Sequence, residues 1–269
     1  CLRALDGRVS GANVRLGHLK RRGFMRLDLM GWEEVERYLA HRTDAVLPTG
    51  SMEQHGPIGL IGTDALCATA VAEAAAERAG SVVLPPVAYT PAPFNMGFPG
   101  TISVSEATFS ALVSEIVAAL ATHGFRRLYV LNGHGANLAP LRALAASAPL
   151  ELRIRSWWDY PRVNARRLAL YGDWEGMHAT PSEIAMTQAL HRRIERAPLP
   201  APKALDAAWR AAHAGDRHGP PDQHRAEFPC GRVGSWSELA RPDHGAELFA
   251  LAAEEAAADM RDFAGLPPA

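Results

Sequence analysis

A carboxylate, an imidazole and a second carboxylate fall within twelve residues of one another, in Pro48-Thr49-Gly50-Ser51-Met52-Glu53-Gln54-His55-Gly56-Pro57 and the Gly62-Thr63-Asp64-Ala65 that follows. Carboxylate oxygens beside a borderline imidazole nitrogen, set among glycines and prolines, are the composition of a metal site. Glu53 and His55 lie two apart, so on an extended backbone both side chains leave on the same side and can share a partner. A second stretch, Asn132-Gly133-His134-Gly135-Ala136-Asn137, sets a histidine between glycines that let backbone approach closely. The third runs from Tyr171 to Glu183 and carries Trp174, Glu175, His178 and Glu183.

Each stretch needs an element to hold it. Ala45-Val46-Leu47 reads as a buried strand just before the first, and Arg127-Leu128-Tyr129-Val130-Leu131 as a strand running straight into the second. Open α/β sheets bind ligands beyond the carboxyl ends of their strands, so these two stretches are expected to meet. Periodicity and caps predict helices over 32–39, 65–79, 105–123 and 138–146, from Pro181 to about Ile194, and over 247–263; further strands fall at 81–84 and 152–155. Strand and helix alternate, which argues for an α/β domain with a largely parallel sheet. No repeat or linker divides it, so a single domain over 25–269 is expected, with residues 1–24 an extension outside the fold. The loop from Tyr89 to Thr101 is too long for a connector and is expected to line the site together with Trp157 to Trp174. Residues 213–244 read as an irregular excursion that reaches a neighbouring subunit's pocket.

Bulk properties narrow the partners. With 269 residues, 48% hydrophobic and 21% charged, the chain has ample material for a core. A net charge of −1 leaves no footprint for nucleic acid and no polybasic patch for a membrane, and no apolar run is long enough to span one. Small-molecule chemistry is expected. Cys1, Cys67 and Cys230 form no CxxC pair and are odd in number, which fits a reducing, cytoplasmic compartment.

Taken together, the Pro48–Pro57 motif, Gly62-Thr63-Asp64-Ala65, Phe98-Pro99-Gly100-Thr101, Asn132–Asn137 and His178-Ala179 through Glu183 resemble the creatininase (creatinine amidohydrolase) family, in the family's order and from about Leu27 to the C-terminus. The resemblance implies a single three-layer α/β/α domain, homo-oligomers of hexameric form, and two divalent metal ions that activate a water to hydrolyse an amide or other C–N bond outside ordinary peptides. It makes Glu53 and His134 ligands of one metal, His55 a ligand of the other, and Asp64 the bridge. Zinc is expected first, with manganese or iron as the alternatives. His178 is the candidate proton donor to the departing nitrogen, since an imidazole alternates between acid and base near neutral pH. Two departures stand out. Creatininase proper carries a metal-ligating glutamate where this chain has Ala136, and Glu183 is the substitute ligand; Asn95 occupies a slot where many relatives have histidine. Both turn the expected substrate from creatinine towards another cyclic amide or a formamide.

Competing roles come from the same residues. Thr180-Pro181-Ser182-Glu183 is a helix capping box in which Glu183 needs no metal, and Asp64 could serve as a helix N-cap. Trp158, Trp174 and Asn95 are candidates for substrate contact, with packing the alternative for the tryptophans. His213, His218, His224 and His244 lack ligand spacing and receive no function; Arg162 to Arg167 reads as a solvated helix face or an oligomer contact. A dinucleotide site could use the Gly133-His134-Gly135 turn, with Glu151 downstream, but Leu138 stands where the third glycine belongs. A metal-binding member without catalysis is the remaining alternative, motivated by Ala136.

Overall fold

The computed structural model describes residues 25–215 and 218–267, so the expected extension over 1–24 lies outside the described residues. In chain order the elements are β1 (Met25–Arg26), α1 (Trp32–Leu39), β2 (Asp44–Thr49), α2 (Thr63–Ala79), β3 (Val82–Val83), α3 (Glu106–Thr122), β4 (Arg127–Asn132), α4 (Leu138–Ala145), β5 (Glu151–Ser156), α5 (Pro161–Tyr171), α6 (Pro181–Leu190), α7 (Ala207–Ala212), α8 (Pro221–Glu227) and α9 (Pro242–Phe263). The strands form one all-parallel sheet in the order β1-β3-β2-β4-β5.

Period-two alternation divides the core between the sheet's faces. Val46, Val83, Tyr129 and Leu131 pack on one face against α2, α5, α6 and α9, where Cys67, Val71, Val163, Met186 and Leu248 are buried. Ala45, Leu47, Val82, Leu128 and Val130 pack on the other against α1, α3 and α4 through Tyr38, Phe109, Val113 and Leu141. This is the three-layer α/β/α arrangement. Small residues let α2 lie close to its neighbours: Ala72, Ala75 and Ala76 are all inaccessible to solvent. Among the described residues no helix is long and apolar enough to cross a membrane.

The chain leaves β2 for β3 on one side and returns past it to β4 on the other, so the strand order reverses between β2 and β4. That is where open α/β sheets form their ligand crevice. The two strands end level, Thr49 paired with Asn132, and the Thr49 hydroxyl donates to Asn132 Oδ1 at 3.0 Å. Gly50 and Gly133 then let the first turn of α2 seat directly on both strand ends. A Cβ on Gly50 would stand 2.3 Å from the Ala65 nitrogen, and one on Gly133 2.3 Å from the Asp64 carbonyl oxygen. Gly133→Ala is therefore expected to lower stability by about 1–3 kcal/mol. The change should appear as a lower urea midpoint at unchanged slope; an unmoved midpoint would show that the helix turn yields freely.

Several boundaries differ from expectation. The first core strand is longer, because Pro48 and Thr49 remain in register with β4; α6 stops at Leu190, and α9 begins early, with Pro242 in its first turn. Residues 213–244 are not wholly irregular: α8 and a 3-10 turn at Ser237–Leu239 lie within them.

Candidate metal centre

Beyond β2 the chain presents Glu53 and His55 to one cluster, while Gln54 between them turns away. Its side-chain nitrogen donates to Asn95 Oδ1 at 2.8 Å and to the Gly231 carbonyl at 3.0 Å, and its oxygen accepts from the Gly56 N–H at 2.7 Å. Asn95 in turn donates to Glu53 Oε2 at 3.0 Å. It is fully buried behind Glu53 and does not line the substrate cavity. Its role is to orient a carboxylate, which is where the substrate-contact expectation needs correction.

Six buried side chains meet in overlapping sets of three: Glu53, Asp64 and His134; His55, Asp64 and Glu183; and Glu53, His55 and His178. Asp64 divides its oxygens between the first two. Its Oδ2 lies 3.1 Å from His134 Nδ1, which is also 3.2 Å from Glu53 Oε1; its Oδ1 lies 2.8 Å from His55 Nε2, with Glu183 Oε1 at 3.9 Å. Glu53 Oε1 and Asp64 Oδ2 are buried without a hydrogen-bond partner among the described residues. Asp64 is the second residue of α2 and makes no cap bond; Gly62 occupies the cap position.

The outward nitrogens of the histidines are held by main chain. His134 Nε2 lies 2.8 Å from the Pro91 carbonyl, His55 Nδ1 3.1 Å from that of Glu53, and His178 Nε2 2.7 Å from that of Gln54. Each donates a ring N–H outward and turns its other nitrogen to the carboxylates, the way metal-ligating imidazoles are oriented.

Charges in the cluster oppose burial. Burial lowers the pKa of His55, but Asp64, Glu183 and Glu53 outweigh it and hold it up at about 10; His134 is likewise driven well above its usual value, against burial, by Glu53 and Asp64. Glu53 and Asp64 sit below the usual carboxylate range despite burial, through the facing imidazoles. Glu183 behaves differently, raised to about 7 by burial, and burial takes His178 down to about 3. The carboxylate field that retains protons on His55 and His134 is the field that would hold divalent cations in their place. Paired imidazoles and carboxylates with unpartnered buried oxygens therefore fit a two-metal site.

Glu183 fills both roles considered for it. Its Oε1 accepts the Thr180 N–H at 2.6 Å and closes the capping box of α6, while the same carboxylate faces His55 and the cavity. Between His178 and Thr180, Ala179 adopts φ +57 and is fully buried. A left-handed non-glycine residue marks a strained turn, and this one aims His178 and the start of α6 at one space.

That space is a cavity of 280 Å³ lined by Glu53, Asp64, His134, His178 and Glu183, with Trp158, Asp159 and Arg167 on its wall. Trp158 is one of the lining residues. Trp174 does not line the cavity and packs edge-on against Trp236 at 5.4 Å between ring centres. Arg167, read from sequence as part of a solvated run, turns inward instead: its Nε donates to Glu175 Oε1 at 2.8 Å and to Ser182 Oγ at 3.2 Å, and its Nη1 to the Trp158 carbonyl at 3.3 Å. Arg162 and Arg166 pair with Glu254 and Glu247 of α9. The 213–244 segment meets the site of its own chain through Gly215, the Gly231 carbonyl, and bridges from Val233 and Gly234 to His178. The dinucleotide alternative loses its turn, because Gly133 is closed against Asp64.

Comparison with known proteins gives a consistent setting. A family model described as Creatininase: Creatinine amidohydrolase matches residues 28–260. A creatinine amidohydrolase of Pseudomonas putida is 34% identical over 181 residues, which cover 60% of this chain and 69% of the relative. A mycofactocin precursor peptide peptidase of Mycolicibacterium smegmatis is 38% identical over 118 residues, or 42% of this chain and 47% of the relative. A 3-dehydro-scyllo-inosose hydrolase of Thermotoga maritima is 36% identical over 107 residues, covering 39% and 34%. Among solved structures, a crystal structure of creatininase superposes with a TM-score of 0.67 at 26% identity, covering 91% of this chain and 99% of that one. A manganese form of creatininase gives 0.66 at 25% identity, covering 91% and 100%.

Proposed function

The chain belongs to the creatininase family, whose model is described as creatinine amidohydrolase, and from that premise we propose that it is a two-metal amidohydrolase cleaving a cyclic amide or formamide of a small molecule. The observation that carries this reading is the division of Asp64, one oxygen facing Glu53 and His134, the other His55 and Glu183. Glu53 and His134 would hold one ion, His55 and Glu183 the other, and Asp64 both. Bound there, zinc or manganese would polarise the amide carbonyl and acidify a water; zinc suits the mixed imidazole and carboxylate set.

The protein's own groups do the rest. His178 carries its ring proton on Nε2, because both hydrogens of the Gln54 amide are already given to Asn95 and Gly231, leaving the Gln54 carbonyl to accept from the imidazole. Its free Nδ1 faces the cavity side, 3.6 Å from Glu53 Oε1. Neutral His178 thus takes a proton at Nδ1 first and delivers it afterwards to the leaving nitrogen. Trp158 offers a flat face for the substrate, and Arg167 fixes the main chain that carries it. The same reading takes the functional unit as a cytoplasmic homo-oligomer, supported by the exposed Leu29, Trp32 and Tyr89 and by the free thiols of Cys67 and Cys230.

Glu183 supplies the test of the second metal position. Glu183→Ala is expected to retain one equivalent of metal by elemental analysis, and Glu183→Gln to retain the α6 cap with the same metal loss. Two full equivalents in both variants would reduce Glu183 to its cap and sink the two-metal assignment made here. Two equivalents in the parent protein with no turnover of any amide would favour the binding member without catalysis.

A further inference from the structure

A second, larger chamber of 770 Å³ adjoins the metal centre and shares Gly135, Leu138 and Gly215 with its lining. We propose that the hydrolysed amide carries an extended apolar arm seated in this chamber, against Pro91, Pro93, Phe94, Ala136 and Ala139. The proposal rests on the reading of the metal centre as hydrolytic.

Three observations support the arm. The chambers share Gly135, Leu138 and Gly215 in their walls, and Ala136 contributes only a methyl group to the lining of the second. The metal chamber by itself falls just below the roughly 300–1,000 Å³ typical of ligand sites, whereas the second chamber lies well inside that range. A substrate confined to the first would leave the larger space unused. The chamber's floor is also built from residues that hold the centre together. Pro91 gives its carbonyl to His134, and the Phe94 ring stands edge-on to His178 at 6.3 Å. An arm packed on Phe94 therefore touches the back of the proton carrier's support. Arg142 and Glu106, both exposed, and His218 complete the lining, so an arm laid on the buried Pro91 and Phe94 also meets charge and water.

Straight-chain hydroxamates from acetohydroxamate to octanohydroxamate test the arm on the metal-loaded enzyme, since the chelating head is constant and only chain length varies. Calorimetric Kd is expected to fall about three- to fourfold per added methylene until the chamber is filled. In Ala139→Trp, which places an indole in the chamber, that gradient should flatten. A Kd independent of chain length, or a gradient unchanged in Ala139→Trp, overturns the arm while leaving the metal centre standing. Failure of every hydroxamate to bind the metal-loaded enzyme overturns the hydrolytic centre itself, and the arm with it.

Discussion

Asp64→Ala is expected to leave both metal positions empty by elemental analysis and to reduce turnover of any amide by roughly 10³-fold or more. No other side chain in the cluster faces both ion positions: its Oδ2 is 3.1 Å from His134 and its Oδ1 2.8 Å from His55. Losing it removes a ligand oxygen from each proposed position at once, whereas losing Glu53 or Glu183 removes one ligand from one. The protein without metal should also be weakened, because two imidazoles held protonated partly by Asp64 are left without that partner in a buried space. Breaking a buried pair in this way costs about 3–5 kcal/mol. Asp64→Asn, which keeps the shape and removes the charge, separates folding from binding: a folded protein by circular dichroism with little metal is the expected result. Asp262→Ala, a surface carboxylate paired with Arg153, serves as the control and should change neither quantity. Two full equivalents of metal in a folded Asp64→Ala protein would show that the ions sit elsewhere.

The residues of this centre were legible in sequence for a physical reason. Glu53, His55 and His134 follow runs of buried β-branched and aliphatic residues, and parallel strands in register carry whatever follows them to one edge. Asp64 was legible because an Ala-rich helix must begin beside it. What could not be read was orientation. Helical spacing groups Arg162 with Arg166, and both pair with α9; Arg167, one residue on, turns towards Glu175 and the cavity, which depends on where α6 lies. Trp174 and Trp158 look alike in sequence, yet only Trp158 reaches the wall, because Trp236 from a distant segment covers the other. Gln54 was overlooked between two conspicuous neighbours. The signal available was its alternation with Glu53 and His55, which sends it to the opposite side, where Asn95 and Gly231 wait. Glu183 shows that the two readings set against each other need not compete, since one carboxylate oxygen closes the capping box while the group still faces His55.

His178→Gln is expected to retain both metals and to lose turnover by about 10²–10⁴-fold, the range for removing a positioned proton carrier. The prediction is sharp because His178 also falls within a possible ligand set with Glu53 and His55. As a ligand, its loss would lower metal content; as a proton carrier, it would lower kcat alone. Its surroundings favour the carrier. The nearest carboxylate oxygen to His178 Nδ1 is 3.6 Å away, against 2.8 Å for His55 and 3.1 Å for His134. An imidazole outside the tight cluster, neutral and pinned through Nε2 to the Gln54 carbonyl, has one open nitrogen aimed at the reacting space. The acceptor is the Gln54 main-chain carbonyl, so Gln54→Leu should keep both the tautomer of His178 and the metal content, removing only the amide's bonds to Asn95 and Gly231. Loss of a full metal equivalent from His178→Gln would move His178 among the ligands, and the proton to the leaving nitrogen would then have to come from solvent.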